Sequence, residues 1–357
     1  MGTVAKSIIK VLVVDDSPAM CKVLTDVLNS DLQIIVAGVA HNGKEAVEMA
    51  ACLKPDIITM DVDMPVMDGI EATKQIMAYS AAPILVVCAS TMDIEMDKVF
   101  KAISCGALDV IDKSQMSAVG DRPYGSTLIE KIKFLSGIKV IRHPLAKLDK
   151  DKTEKAVTVP KDIAKQEVFE SIVAMVASTG GPVALLDVLK KIPKKFPCGI
   201  VIVQHITSGF LEGLADWLNS ECQIKVKVAQ DCERVCRGIA YLAPTDLQMR
   251  IEMGGIIRLS DEPPHNGYRP SGDVLLESAA AVYKESAVGV ILTGMGSDGA
   301  MGIKAIKQMN GRTIAQDEES CAVFGMPKSA IEMDVVDKTL PLDKISDEIM
   351  KMLWNNI

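Results

Sequence analysis

Val11-Leu12-Val13-Val14-Asp15-Asp16 is an apolar run that stops on two carboxylates, and Ile57-Ile58-Thr59-Met60-Asp61 repeats the pattern. Short runs of this kind suit strands buried on both faces, as in a parallel sheet covered by helices. Working outward, residues 8–14, 34–39, 56–60, 84–88 and 108–111 read as strands. Helical patterns lie between them, after Pro18, over Lys44–Leu53, near Gly69–Met77 and through Val99. This βα alternation predicts a doubly wound parallel α/β domain over residues 7–126.

Residues 127–167 are taken as a connector, because 142–167 hold many Lys, Asp and Thr, two Pro and weak periodicity. From residue 168 the alternation resumes, which predicts a second, Rossmann-like α/β domain over residues 168–357 with a few antiparallel additions. Strands are expected at 169–176, 199–203, 224–228, 239–242, 247–251, 256–259 and 288–292. Helices are expected at 182–192, 210–219 and 274–283, with a final amphipathic one carrying Ile345, Ile349 and Leu353.

A chain of 357 residues is long for one core and natural for two. Its net charge of −8 argues against general affinity for nucleic acid or anionic membrane. No stretch is apolar enough to insert into a bilayer, and the first residues lack the apolar core of a secretory signal. The nine Cys are scattered, which suggests reduced thiols, a cytoplasmic location and no structural zinc.

Ligands of parallel α/β sheets bind at the carboxyl ends of strands. Asp15, Asp16 and Asp61 all sit at such ends. Three carboxylates meeting there repel unless a cation joins them, and Mg²⁺ fits because it favours a few carboxylates plus water and phosphate. One carboxylate can then accept a phosphoryl group, with Lys113 supplying positive charge to it. Asp15-Asp16 alone would also pass as ordinary turn residues.

A second set of residues suits attack on a carbonyl. Ser178 follows an apolar strand and precedes Gly180-Gly181-Pro182, a glycine turn opening a helix whose free N–H groups suit an oxyanion. The chain has four His, of which His41 falls in the first domain and His143 in the connector. His205 follows a strand directly and is expected at the same sheet edge as Ser178; His265, in a Pro- and Gly-rich loop, is the weaker candidate base. Asp298, in Gly294-Met295-Gly296-Ser297-Asp298-Gly299, again follows a strand and is placed to hold the His205 tautomer. A phosphate-binding turn at Ser178-Thr179-Gly180-Gly181 stays open as an alternative, although no nucleotide fingerprint is present.

The motifs Val-Leu-Val-Val-Asp-Asp-Ser-Pro, Met-Asp-Val-Asp-Met-Pro-Val-Met-Asp-Gly and Gly-Ala-Leu-Asp-Val-Ile-Asp-Lys resemble the receiver domain of two-component response regulators, which has a flavodoxin-like fold. That resemblance implies Asp61 as phosphoacceptor, Asp15, Asp16, Asp61 and the Asp63 carbonyl as Mg²⁺ ligands, and Lys113 on the phosphate. The sequence departs at Cys88, where receivers carry a hydroxyl, with Ser90 or Thr91 as substitutes, and at Ser114, where Pro often follows the Lys.

Ala-Ser-Thr-Gly-Gly-Pro, Val-Gln-His, Tyr-Leu-Ala-Pro-Thr-Asp, Arg-Pro-Ser-Gly-Asp-Val-Leu, Val-Gly-Val-Ile-Leu-Thr-Gly-Met-Gly-Ser-Asp-Gly and Val-Phe-Gly-Met-Pro resemble the chemotaxis protein-glutamate methylesterase (CheB) family. The resemblance implies Ser178 as nucleophile, His205 as base and Asp298 as its partner. It places Thr179 and Met295 in the site, the Met295 amide as an oxyanion donor, and Arg269 as a help in holding substrate. It implies hydrolysis of methyl esters on chemoreceptor cytoplasmic domains without a cofactor for that step, and a chemotaxis histidine kinase as phosphodonor. Deamidation of receptor glutamine is a companion activity that the sequence leaves open. The expectation is a phosphorylation-regulated hydrolase whose receiver covers the second site. A non-enzymatic receptor-binding adaptor is the alternative, and a DNA-binding output is disfavoured by the acidic α/β second half.

Overall fold

The structure, a computed structural model, describes residues 8–88, 93–113, 125–138, 140 and 171–354. The first sheet has the order β2-β1-β3-β4-β5, from β1 (Ile9–Val14), β2 (Ile34–Ala40), β3 (Ile57–Met60), β4 (Ile84–Cys88) and β5 (Asp109–Asp112). Every pairing in it is parallel. β1 is an interior strand, which explains its unbroken apolar run: Leu12 and Val14 enter one buried cluster while Val11 and Val13 enter another.

Helices α1 (Pro18–Asn29), α2 (Gly43–Leu53), α3 (Gly69–Tyr79), α4 (Asp93–Ser104) and α5 (Ser126–Leu135) complete this unit. Side chains start three of them: Ser17, Asn42 and Asp68 accept from the amides of Met20, Glu45 and Glu71. Residues 127–135, assigned above to the connector, instead form most of α5. Leu128, Ile132 and Leu135 recur at helical spacing and are buried in the cluster with Val11, Leu24 and Ile111, so this stretch belongs to the first core. The remainder of the expected connector beyond residue 140, with His143, lies outside the described residues, as do Ser90, Thr91 and Ser114.

The second sheet is seven-stranded and parallel, in the order β14-β13-β12-β6-β7-β9-β8. Its strands are β6 (Ile172–Ala177), β7 (Gly199–Gln204), β8 (Lys225–Val228), β9 (Ile239–Leu242), β12 (Ala287–Ile291), β13 (Arg312–Gln316) and β14 (Lys338–Leu340). The antiparallel addition is one hairpin, β10 (Gln248–Glu252) with β11 (Ile256–Ser260). Helices α6 (Gly181–Leu189), α7 (Leu211–Glu221), α8 (Gly272–Tyr283), α9 (Ala300–Gln308), α10 (Met326–Glu332) and α11 (Leu342–Trp354) complete it. Among the described residues no helix is long and apolar enough to cross a membrane.

The two units meet through α4 and β5. Phe100 of α4 stacks on Trp217 of α7 with ring centroids 5.4 Å apart, and both lie in one apolar cluster with Met96 and Leu214. Gly213 leaves room for this contact: a Cβ there would sit 2.9 Å from Met96 Cβ and 3.2 Å from Phe100 Cε2. β5 is an edge strand, so some of its carbonyls face outward. The second unit uses two carbonyls of this segment: Gly180 N donates to Leu108 O at 3.3 Å, and Thr207 Oγ1 donates to Val110 O at 3.2 Å.

Candidate functional sites

The acidic set assembles at the point where the first sheet reverses its strand order, between β1 and β3. One carboxylate oxygen each from Asp15, Asp16 and Asp61 lies within 4.8 Å of the others. Lys113 enters from the end of β5, with Nζ 2.8 Å from Asp61 Oδ2 and 2.9 Å from Asp15 Oδ2. Burial pushes the Asp61 carboxyl above its ordinary value, against the opposing pull of Lys113. Burial alone would lower Lys113, but the two carboxylates hold its ammonium above the usual range. Three carboxylates with one ammonium among them suit a divalent cation, and Asp16 is exposed, which keeps the cluster open to water. The Asp63 side chain turns away to Lys98, at 2.9 Å. Cys88 is buried at the end of β4, paired in register with Asp112.

The second set assembles at the corresponding reversal of the other sheet. The chain leaves β6 towards β7 on one side and later returns through β12 on the other. Ser178 directly follows β6, His205 directly follows β7, and Asp298 lies in the turn between β12 and α9. Main-chain bonds join the three strand ends: Ser178 N donates to Thr293 O at 3.0 Å, and His205 N donates to Ala177 O at 2.9 Å.

His205 Nε2 lies 2.9 Å from Asp298 Oδ2. Nδ1 is buried and without a hydrogen-bond partner among the described residues, and Nε2, close as it is to the carboxylate, meets it as an ionic contact and not as an aligned hydrogen bond. Asp298 is 3% exposed and accepts from Ser271 Oγ at 2.7 Å, Gly272 N at 2.6 Å and Asp273 N at 3.2 Å. Those amides open α8, so the carboxylate caps a helix start, where negative charge is favoured. Burial would raise Asp298, but His205 and these donors outweigh it and hold the carboxyl below its ordinary value. An anion kept here favours the tautomer with hydrogen on Nε2 and a lone pair on Nδ1.

Thr179 is buried beside Ser178, its carbonyl accepting from Thr293 Oγ1 at 3.0 Å. Met295 is 47% exposed. Neither the Thr179 nor the Met295 amide donates a hydrogen bond among the described residues. Arg269 directs Nη1 to the carbonyls of Asp261 and Glu262, 3.1 and 3.3 Å away, so that donor braces its own loop. His265 is exposed, and the structure brings His205 rather than His265 to Asp298.

Two supporting groups went unread in the sequence. Gln204 is buried, and its Nε2 donates to both Ser178 O and His205 O at 2.8 Å, tying the two strand ends together. Its Oε1 lies where a Cβ on residue 181 would come within 2.0 Å, which is why glycine stands there. Ser271 stands ahead of a helical pattern, where a serine is a capping signal. Here its hydroxyl serves Asp298 instead of its own helix.

Residues 173–349 match the family model described as CheB methylesterase, and residues 11–119 match the response regulator receiver domain. The protein-glutamate methylesterase/protein-glutamine glutaminase 1 of Syntrophus aciditrophicus is 41% identical over 344 residues, spanning 96% of this chain and 98% of that protein. The protein-glutamate methylesterase/protein-glutamine glutaminase of Halalkalibacterium halodurans is 43% identical over 352 residues, spanning 97% and 99%. Among solved structures, the catalytic domain of Thermotoga maritima CheB methylesterase is 41% identical, covers 51% of this chain and 98% of its own, and gives a TM-score of 0.49.

Proposed function

The chain belongs to the CheB family of receiver-linked protein-glutamate methylesterases, and from that premise we propose that it hydrolyses γ-glutamyl methyl esters on chemoreceptor cytoplasmic domains with Ser178 as nucleophile. The observation that carries the assignment is the state of His205: one ring nitrogen faces a buried carboxylate and the other is left without a partner. Nδ1 takes the Ser178 proton as Oγ attacks the ester carbonyl, and returns it to the departing methoxide to release methanol. Water, activated by the same nitrogen, then cleaves the acyl-enzyme to free glutamate. Asp298 stabilises the imidazolium formed in each half. The amides of Thr179 and Met295 are offered as donors to the tetrahedral oxyanion. The same acyl chemistry would deamidate receptor glutamine, and the names of the relatives pair the two activities.

In the receiver, Asp61 is proposed to accept a phosphoryl group from a chemotaxis histidine kinase. Mg²⁺, held by Asp15, Asp16, Asp61 and the Asp63 carbonyl, would offset charge on that group during transfer. Lys113 then contacts the phosphate, and its present partners Asp15 and Asp61 must share it with the new charge. Because Lys113 directly follows β5, this change acts on the strand whose neighbouring carbonyls hold Gly180 and Thr207. Phosphorylation thereby shifts the balance from a covered to an open esterase. Receptor domains and kinase imply a cytoplasmic setting. A receptor-binding adaptor without activity is not favoured, since relatives matching nearly the whole chain are named as enzymes.

The test is methanol release from methylated receptor, with and without acetyl phosphate. Release that rises with the phosphodonor and vanishes in Ser178→Ala is expected. Equal release from that variant would overturn the assignment.

A further inference from the structure

We propose that Tyr268 is a positioning residue for the base, its ring acting through a stack on His205; the inference rests on the reading of His205 given above. The two rings lie 4.7 Å apart between centroids at 17°, nearly parallel. Asp298 holds the imidazole at one edge, Nε2, and an edge contact leaves the ring free to tilt about that point. A flat neighbour on its face removes the tilt and so fixes where Nδ1 points. The π-face also attracts the positive charge that the imidazole acquires when it takes the Ser178 proton.

Tyr268 is itself held from three sides. His265 and Tyr268 exchange both main-chain hydrogen bonds at 2.9 Å across Asn266 and Gly267, whose φ values of 52° and 89° suit a tight two-residue turn. Gln248, fully buried, donates from Nε2 to Tyr268 O at 3.1 Å and accepts at Oε1 from Ser271 N at 2.9 Å. Ser271 in turn donates to Asp298, so one buried amide braces both the stacked ring and the carboxylate. The phenol oxygen reaches Gly296, lying 2.6 Å from where a Cβ on that residue would be. The ring thus spans from the base to the loop that carries Met295 and Asp298. Burial, with Asp298 nearby, raises the phenol above its ordinary value, which keeps it neutral in the working range.

The experiment measures methanol release by the full chain on methylated receptor with saturating acetyl phosphate. Rates are divided by the fraction of chain finally labelled at Ser178 by a fluorophosphonate, which removes any unfolded fraction. Tyr268→Leu is expected to lose about 10-fold in kcat with KM little changed, and Tyr268→Phe, which keeps the stack, to stay within about twofold of the parent. The inference is overturned if Tyr268→Leu keeps the parental kcat, if Tyr268→Phe falls as far as Tyr268→Leu, or if the loss lies in KM alone. Ser178→Ala is the control. Continued release by it sinks the reading of the site and the inference with it, whereas an inert Ser178→Ala beside an unimpaired Tyr268→Leu sinks the inference alone.

Discussion

Gly213→Ala should switch the esterase on without a phosphodonor. The residue lies in the first turns of α7, where alanine is the better helix former by up to about 1 kcal/mol, so the helix gains intrinsic stability. The cost falls only on the contact with the receiver. The new methyl would sit 2.9 Å from Met96 Cβ and 3.1 Å from its Cγ, inside van der Waals contact. Met96 Cβ is fixed to the α4 backbone, so a change of rotamer cannot clear it. Overpacking of this kind costs about 1–3 kcal/mol, and it is charged to the covered arrangement alone. Taking about 2 kcal/mol, the balance between covered and open forms moves by about 30-fold. Methanol release without acetyl phosphate should therefore climb towards the phosphorylated rate, while the phosphorylated rate itself matches that of the parent. An unchanged basal rate in a folded variant would refute the reasoning, because it would mean that the α4–α7 contact does not restrain the site.

Gln204→Leu should lower kcat more than it changes KM, and cost about 2 kcal/mol in urea unfolding, since it removes two part-buried hydrogen bonds to the Ser178 and His205 carbonyls. Asp298→Asn should lower kcat by about 10⁴-fold through the wrong imidazole tautomer. Its stability deficit should also depend on pH. The folded Asp298 carboxyl titrates below its unfolded value, so its contribution is present above about pH 3.9 and is lost as pH falls through the lower folded value. Parent and variant should accordingly converge in urea midpoint in strong acid. Chelation of divalent metal should abolish the stimulation by acetyl phosphate and leave unstimulated release intact.

The parallel sheets were legible because strands buried on both faces must be apolar throughout, as Leu12–Val14 and Val173–Val176 are. β13 was missed because Arg312-Thr313-Ile314-Ala315-Gln316 mixes polar and apolar residues. Thr313 and Gln316 are buried there through hydrogen bonds to Asp337, Val335 and Ser320, partners remote in sequence or visible only after folding. α5 was largely absorbed into the connector because its two Lys residues mask a short apolar stripe; Lys131 and Lys133 pair with Asp109 and Asp31 of the receiver.

At the site, Ser178, His205 and Asp298 could be read because each is a chemically distinctive residue at the end of an apolar run. Gln204, Ser271 and Tyr268 could not. Their types are common, and their roles lie in whom they touch: two carbonyls, a carboxylate and an imidazole face. Nor does any pattern in the chain announce that Gly180 and Thr207, beside nucleophile and base, are hydrogen-bonded to the receiver's β5 segment.

The most direct measurement is the rate and position of covalent labelling by a fluorophosphonate, followed by peptide mass mapping with and without acetyl phosphate. The account predicts one adduct per chain, on Ser178, forming faster once the receiver is phosphorylated. No adduct on Ser178, together with undiminished methanol release by Ser178→Ala, would contradict it.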